Sequence, residues 1–367
     1  MHVRYSYLRQ QFSDCDDLWQ ELRDFVPTGD FTLGKPLTEF ERRFAALIGT
    51  KHAIGVNSGT DAIKLALKAL GVGHGDEVIT TANTFVATVG AIAEIGATPT
   101  FVDCDDTFCM NVDQLERRIT PRTKAIVPVH FTGYMTDMRK LLPIAAKHRL
   151  AVVEDACQSI LGAIDERNAG TWGAAGAFSL HPLKNLNVWS DGGVIVTSDD
   201  ALADKLRLLR NHGLIDRDTV AIFGYNSRLD TIQAVVGNWL IPKTKDIAAA
   251  RIANARAYDE AFAKIAEIRI PPRPPEMRIV YHLYIVFAER RDALLKHCID
   301  RGIEAKVHYP IPIYRQPALA ALGYKEGDFP VADRHTGEII TFPCDQHLSR
   351  EEIAYVIDTV REFYAKA

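Results

Sequence analysis

Lys184 is the side chain of this sequence best placed for covalent chemistry. A strand-like run at 174–180 leads into His181-Pro182, the lysine follows, and a second strand-like run occupies 194–197. Because Pro182 lacks a backbone N–H and cannot continue a strand, Lys184 is expected on a constrained turn. An amine held behind apolar strands is partly desolvated, which lowers its pKa and favours the nucleophilic neutral form. A solvated surface lysine is the alternative.

Asp155 is a second candidate for chemistry. It follows the run Ala151-Val-Val-Glu154, so its carboxylate is expected at the end of a buried strand. A buried carboxylate is costly unless a positive group pairs with it. A protonated ring nitrogen of a ligand would provide that charge, and so would a structural arginine.

Three other groups at predicted strand ends suit a flat, phosphorylated ligand. Ser58, Gly59 and Thr60 open a helix, whose free N–H groups and dipole can hold a phosphate; an ordinary N-cap is the alternative. Ser179 could add a second hydroxyl or make a sheet-edge hydrogen bond. Phe85 could stack on a ring or belong to the core. Together with the amine and the carboxylate, these groups describe a pocket for pyridoxal phosphate.

The elements that must position these residues alternate between strands and helices. Strands are predicted at 52–56, 77–81, 98–102, 125–129 and 150–153, besides the two that flank Lys184. Helices are predicted at 61–70, 85–95, 112–119 and 138–148. Residues 1–35 are expected to be irregular, and the capping box Thr38-x-x-Glu41 predicts a helix start. The alternation is typical of an α/β fold with a mostly parallel sheet flanked by helices. In such a fold, ligands bind beyond the carboxyl ends of the strands.

A domain boundary is predicted at Pro242, where a long amphipathic helical pattern begins. Residues 1–241 are predicted to form a large cofactor-binding domain with an N-terminal substrate segment. Residues 242–367 are predicted to form a smaller C-terminal α+β domain. Its elements are a helix at 242–265, strands at 279–287 and 305–307, and helices at 291–301 and 350–364.

The composition argues against several classes of function. The 367 residues include 43 basic and 47 acidic side chains, so the basic excess expected of a nucleic-acid-binding protein is absent. No apolar run approaches the roughly 18 residues of a membrane span, and no signal peptide is recognisable. The six cysteines are scattered without a histidine cluster, so no metal site is predicted. A cytoplasmic protein with reduced thiols is expected.

Several motifs, in order along nearly the whole chain, resemble the DegT/StrS-type sugar aminotransferases. The matching stretches are Gly29-Asp-Phe-Thr-Leu-Gly34, Asn57-Ser-Gly-Thr-Asp-Ala62, Thr84-Phe-Val-Ala-Thr88, Glu154-Asp-Ala-Cys-Gln158, Phe178-Ser-Leu-His-Pro-Leu-Lys184, Gly224-Tyr-Asn-Ser-Arg-Leu-Asp230 and Val307-His-Tyr-Pro-Ile-Pro312. The resemblance implies the fold of the type I pyridoxal phosphate enzymes, with an aspartate aminotransferase-like large domain. It also implies a homodimer with shared active sites.

The resemblance implies a role for each matching residue. Lys184 would bind pyridoxal 5'-phosphate covalently and carry protons, and Asp155 would bind the pyridine nitrogen. Gln158 would lie near the ring hydroxyl and Phe85 against the ring face, while Gly59, Thr60 and Ser179 would hold the phosphate beside Ser58. Asn226 would reach the cofactor phosphate of the neighbouring subunit. Three residues would meet the substrate: Arg228, His308 and Tyr309.

The implied function is transfer of an amino group from an amino acid, glutamate or glutamine, to a keto sugar in amino-sugar biosynthesis. The sugar would carry a nucleotide or a simple phosphate. The stretch Ser190-Asp-Gly-Gly193 resembles a branch that acts on 3-keto sugars, although serine replaces the first glycine of that branch. Two alternatives remain open: a pyridoxal phosphate-dependent sugar dehydratase, which in related proteins has histidine in place of Lys184, and a regulator that binds ligand without turnover.

Overall fold

Alternating strands and helices build the first unit of the fold. The computed structural model describes residues 1–365. The strands of this unit are β1 (His52–Val56), β2 (Glu77–Thr81), β3 (Thr98–Val102), β4 (Thr123–Ile126), β5 (Ala151–Asp155), β6 (Ala163–Ile164), β7 (Arg167–Asn168), β8 (Ala175–Ser179) and β9 (Gly193–Thr197). Its helices are α1 (Leu8–Gln11), α2 (Asp16–Phe25), α3 (Lys35–Ile48), α4 (Gly59–Ala69), α5 (Val86–Glu94), α6 (Met138–His148), α7 (Asp200–Arg210) and α8 (Thr231–Leu240).

Seven of these strands form one central sheet in the order β1-β9-β8-β5-β4-β2-β3. The pairs β2–β3, β2–β4, β4–β5 and β5–β8 are parallel, whereas β9 runs antiparallel to both β8 and β1. The carboxyl ends of the other six strands therefore share one edge with the start of β9. This arrangement confirms the predicted α/β class with a mostly parallel sheet.

Helices cover both faces of the central sheet. Alternate residues of each strand point to opposite faces, so neighbouring residues of one strand belong to different cores. Val194 and Val196 of β9 pack in a core with α2, α3, α6 and α8. Ile195, between them, packs on the other face with α4, α5 and α7. Strands buried on both sides read as continuous apolar runs, which is why most of them could be located from the sequence.

The second unit has its own core around a three-stranded antiparallel sheet. The remaining strands are β10 (Ile268–Arg269), β11 (Met277–Arg278), β12 (Tyr284–Ala288) and β13 (Ile339–Phe342), and the sheet order is β10-β12-β13. The short β11 pairs with β6 of the first unit. The helices are α9 (Thr244–Phe262), α10 (Arg291–Asp300), α11 (Pro330–Glu338) and α12 (Arg350–Ala365). Within residues 1–365, no helix is both long and apolar enough to cross a bilayer.

Helix α9 connects the two units, and its two halves pack in different cores. Ile247 and Ala248 contact the first core, whereas Tyr258 and Phe262 lie in the second. Val3, near the start of the chain, also lies in the second core and pairs with Ile303. Residues on both sides of position 242 thus contribute to each core. The domain boundary at residue 242 stays a prediction.

Several local predictions were wrong. Residues 1–35 are not irregular, because Leu18, Leu22 and Phe25 place one buried face on α2. Helix α3 begins at Lys35, three residues before the predicted capping box. The carboxylate of Glu41 instead accepts a hydrogen bond from the Gly55 N–H (2.7 Å).

Two further elements differ from the prediction in the same way, since each is shorter than expected. Residues 112–119 form two single turns of 3₁₀ helix, Val112–Gln114 and Glu116–Arg118, because a segment of this length is a marginal α-helix without extensive packing. At 305–307 the strand is reduced to one bridge between Lys306 and Thr341.

Candidate active site

A cavity of about 330 Å³ is lined by residues that follow the carboxyl ends of β1, β2, β5 and β8. Asp191, just before the antiparallel strand β9, also lines it. The second unit and the first residues of the chain complete its wall. Ten of the predicted site residues line this cavity: Ser58, Gly59, Thr60, Phe85, Asp155, Gln158, Ser179, Lys184, His308 and Tyr309.

Lys184 lies in a tight turn between β8 and β9. Its N–H donates to the His181 carbonyl (2.8 Å), and its own carbonyl accepts from Asn187 Nδ2 (2.9 Å). Asn185 Nδ2 also donates to the Val280 carbonyl (3.0 Å), which ties the turn to the second unit. Burial lowers the pKa of the Lys184 amine, because the charged form loses its hydration. The shift favours the neutral, nucleophilic form of this amine more than in a solvated lysine.

Asp155 ends β5 with only 6% of its surface exposed. Its Oδ2 accepts a hydrogen bond from Thr88 Oγ1 (2.7 Å), and its Oδ1 accepts one from the Cys157 N–H (3.2 Å). Within residues 1–365 it forms no salt bridge, so the structural arginine that could have explained this carboxylate is absent there. A buried carboxylate with neutral donors alone can bind a cation of a ligand in the cavity.

The turn from β1 into α4 places the start of a helix at the cavity. Ser58 Oγ accepts from the Asp61 N–H (3.1 Å), so Ser58 is an N-cap as well as a cavity residue. The N–H groups of Gly59 and Thr60 belong to the first turn of α4, where no intrahelical acceptor exists. A Cβ at position 59 would lie 2.8 Å from Ser179 Cβ and 2.9 Å from Cys157 Sγ. Glycine at this position therefore lets the start of α4 pack directly against Ser179 and Cys157, which brings its free N–H groups close to the Ser179 hydroxyl, an arrangement that can bind a phosphate.

The remaining predicted cavity residues form an aromatic and amide wall. Phe85 is 49% exposed and is not a core residue; its ring centre lies 5.8 Å from that of Tyr309. Gln158 Oε1 accepts from the Thr132 N–H (2.8 Å). Burial raises the pKa of the Tyr309 hydroxyl, so this phenol stays protonated. Burial and the nearby lysines lower the pKa of His308 to about 4, so its ring is neutral at pH 7.

Two predicted residues lie outside this cavity. Asn226 is exposed and forms an isolated bridge with Asn211. Arg228 Nη1 donates to Oδ1 of Asn211 (2.8 Å), which is the C-cap residue of α7, so in this structure its guanidinium lies at a helix end and does not pair with Asp230. Both residues follow an exposed loop, at the tip of which the Phe223 side chain is 94% exposed.

Several polar residues of the cavity, among them Thr88, Tyr5, His282 and Lys306, were not predicted from the sequence. Thr88 binds the Asp155 carboxylate, and the spacing of Thr84 and Thr88, whose hydroxyls lie 2.7 Å apart, is a helical signal that could have revealed it. Tyr5, His282 and Lys306 reach the cavity only through long-range packing. Burial and the nearby Lys184 lower the pKa of His282.

Comparison with known proteins identifies the family. The model of the DegT/DnrJ/EryC1/StrS aminotransferase family matches residues 14–361. The pleiotropic regulatory protein of Geobacillus stearothermophilus is 39% identical over 368 residues, which cover 99% of each chain. The dTDP-3-amino-3,4,6-trideoxy-alpha-D-glucose transaminase of Streptomyces venezuelae is 39% identical over 372 residues, 99% of this chain and 98% of that protein.

A solved structure is similar over the whole length as well. The S. venezuelae DesV structure in complex with a ketimine intermediate has a TM-score of 0.97 at 37% identity and covers 100% of this chain and 99% of its own. The fold and the site thus define an aminotransferase of the pyridoxal phosphate type. The chain belongs to the DegT/DnrJ/EryC1/StrS aminotransferase family, which confirms the predicted family and the predicted transaminase class.

Proposed function

We propose that this protein is a pyridoxal phosphate-dependent aminotransferase that moves an amino group from glutamate or glutamine to a nucleotide-linked keto sugar. One observation carries the proposal: the buried Asp155 carboxylate, without a salt bridge in residues 1–365, lines the same cavity as the desolvated Lys184 amine. The free N–H groups at the start of α4, packed beside Ser179, suit the phosphate of the same cofactor. The 3-amino sugar in the name of the S. venezuelae relative supports a 3-keto acceptor.

Each residue has a distinct part in this reaction. When bound, pyridoxal phosphate supplies an electron sink that stabilises negative charge at the substrate carbon. Asp155 keeps the ring nitrogen protonated, and Thr88 orients its carboxylate. Lys184 holds the cofactor between turnovers and moves the proton at the reacting carbon. Phe85 covers the ring, and the Gly59–Thr60 turn anchors the phosphate.

A half-reaction with a single substrate tests the proposed function. Holoenzyme mixed with stoichiometric L-glutamate should lose its visible absorbance and release one equivalent of 2-oxoglutarate per site. A panel of nucleotide-linked and phosphorylated keto sugars should then restore the absorbance with the matching acceptor. A regulator, as the name of the G. stearothermophilus relative suggests for that protein, would bind ligand without releasing the keto acid. Absence of keto acid with both glutamate and glutamine would contradict the proposal.

The proposal includes a homodimer in which Asn226 serves the partner's cofactor. The support is its placement: Asn226 is exposed, away from its own cavity, and next to a loop with the exposed apolar side chains of Ile215, Val220 and Phe223. Exposed apolar clusters of this kind mark protein interfaces. Arg228, two residues on, is proposed to meet substrate anions at the same shared site.

Mixed dimers of Lys184→Ala and Asn226→Ala subunits should regain one native site. The Asn226→Ala subunit supplies Lys184, and its Lys184→Ala partner supplies Asn226. Cofactor affinity measured on purified heterodimers should therefore show a wild-type component. The control pairs a wild-type subunit with a Lys184→Ala/Asn226→Ala subunit, where shared sites leave only weakened binding. If the control heterodimer shows the wild-type component and the mixed heterodimer does not, Asn226 acts within its own chain.

A further inference from the structure

Three side chains from separate segments form a stack on one wall of the cavity. The Lys306 ammonium lies 4.4 Å from the centre of the Tyr5 ring. The Tyr5 ring in turn stacks on the His308 ring, with 5.7 Å between centres and 27° between planes. All three residues line the cavity. An ammonium over an aromatic face is attracted to it, so Tyr5 favours this position of the Lys306 side chain.

Backbone pairing holds the stack in place. The Val3 N–H donates to the Gly302 carbonyl (2.9 Å), and the Glu304 N–H donates to the Val3 carbonyl (3.0 Å). The Tyr5 N–H donates to Glu304 Oε2 (2.8 Å), which turns the tyrosine toward the cavity.

Thr341 of β13 fixes the other side of the stack. It exchanges two backbone hydrogen bonds with Lys306, at 3.0 and 2.8 Å, and its Oγ1 lies 2.9 Å from His308 Nδ1. Lys306 is therefore attached to the wall of the cavity, although its side chain is exposed.

The charge of Lys306 is available to a ligand. Among the described residues, no carboxylate lies within ion-pair distance of its ammonium. The other lysine of the cavity, Lys184, is assigned to the cofactor. The nearby Arg251 is already occupied, since its Nε donates to Gln346 Oε1 (2.9 Å) and its Nη2 lies 3.6 Å from Asp345 Oδ2.

We propose that Lys306, stacked on Tyr5, binds the anionic group of a substrate remote from the carbon that reacts. This inference rests on the proposed function, in which donor and acceptor occupy the same cavity in turn. The anion would be the side-chain carboxylate of a glutamate donor or the phosphate of a sugar acceptor. Both accept charge-assisted hydrogen bonds from an ammonium. Lys306 is thus a residue that determines specificity and takes no part in proton transfer.

Substitution of Lys306 with methionine tests this role, because methionine retains an apolar stem but lacks the charge. We expect KM to rise at least about tenfold for the anionic substrate, with kcat nearly unchanged, since the lost contact is remote from the reacting carbon. Lys306→Arg should restore most of the affinity. The matched control is Lys243→Met: Lys243 also stacks on an aromatic ring, with its ammonium 3.3 Å from the Trp239 ring centre, but lies outside the cavity.

The two half-reactions, measured separately, distinguish the two anions. A higher KM for glutamate but not for glutamine assigns Lys306 to the donor carboxylate. A higher KM for the keto sugar assigns it to the phosphate. Unchanged KM values in both half-reactions, or an equal rise in Lys243→Met, would overturn the inference. If wild-type holoenzyme releases no keto acid, the proposed function fails instead. Calorimetry with UDP, dTDP and L-glutamate then decides: weaker binding of any of these ligands by Lys306→Met supports the inference, and equal binding of all three overturns it.

Discussion

Replacement of Lys184 with alanine is expected to reduce turnover by at least about 10²–10⁴-fold, the contribution of one positioned proton-transfer group. The loss should be larger if covalent attachment also limits cofactor retention. Lys184 is the amine whose pKa burial lowers, and the turn that holds it is fixed by hydrogen bonds on both sides. The measurement is kcat with glutamate and the sugar identified in the panel.

Borohydride reduction of the wild-type holoenzyme checks the same assignment without a substitution. It should fix the cofactor on Lys184, and peptide mapping should locate the label there. Lys243→Ala is the control variant, because Lys243 lies outside the cavity and should leave both labelling and turnover unchanged. A label on Lys306 or on any other lysine would reject the assignment.

Replacement of Asp155 with asparagine is the second change with a large expected effect. Asparagine preserves the size of the side chain and can still accept from Thr88, but it lacks the charge that keeps the ring nitrogen protonated. The loss of one electrostatic partner in a water-excluded site costs about 10²–10³-fold in kcat. We expect that loss with the cofactor still bound, as absorbance spectra of the purified variant would show.

Asp191→Asn provides the matched control, because Asp191 lines the same cavity but is exposed to solvent. Exposed charges interact weakly through water, so the effect on kcat should be small. If Asp155→Asn retains near wild-type activity, or if the two variants lose activity equally, the carboxylate of Asp155 has a structural role only.

The sequence predicted the central sheet and the C-terminal helix well and the first 35 residues poorly. Strands β1, β2 and β3 have the predicted bounds. In β1 the buried run Ala53-Ile-Gly-Val56 is continuous and without polar side chains, as expected for a strand covered on both faces. Helix α2 was missed although Leu18 and Leu22 have helical spacing, because its flanking glycines and proline indicate loops. Helix α3 begins early because Gly34 and Pro36 together favour a start at Lys35 over the capping box at Thr38.

The residues of the candidate site also fall into those that the sequence could predict and those that it could not. Residues that follow parallel strands, such as Lys184 and Asp155, could be brought together from topology alone, since those strands end at one edge. Lys306 and Tyr5 could not, because their meeting depends on a pairing between residues 3–5 and 302–304 that leaves no local pattern. The roles of Asn226 and Arg228 depend on a second subunit and stay predictions.

The pairing of Val3 with Ile303 also sets an order in which the cavity can be completed. Translation proceeds at about 5–20 residues per second, so residue 303 is made roughly 15–60 s after residue 3. During that interval the strand ends that carry Asp155 and Lys184 can fold, whereas Tyr5 has no partner. A chain arrested before residue 302 is therefore expected to form the floor of the cavity without the wall that contains Tyr5, Lys306 and His308. A newly made chain can then bind the cofactor before it can bind the substrate.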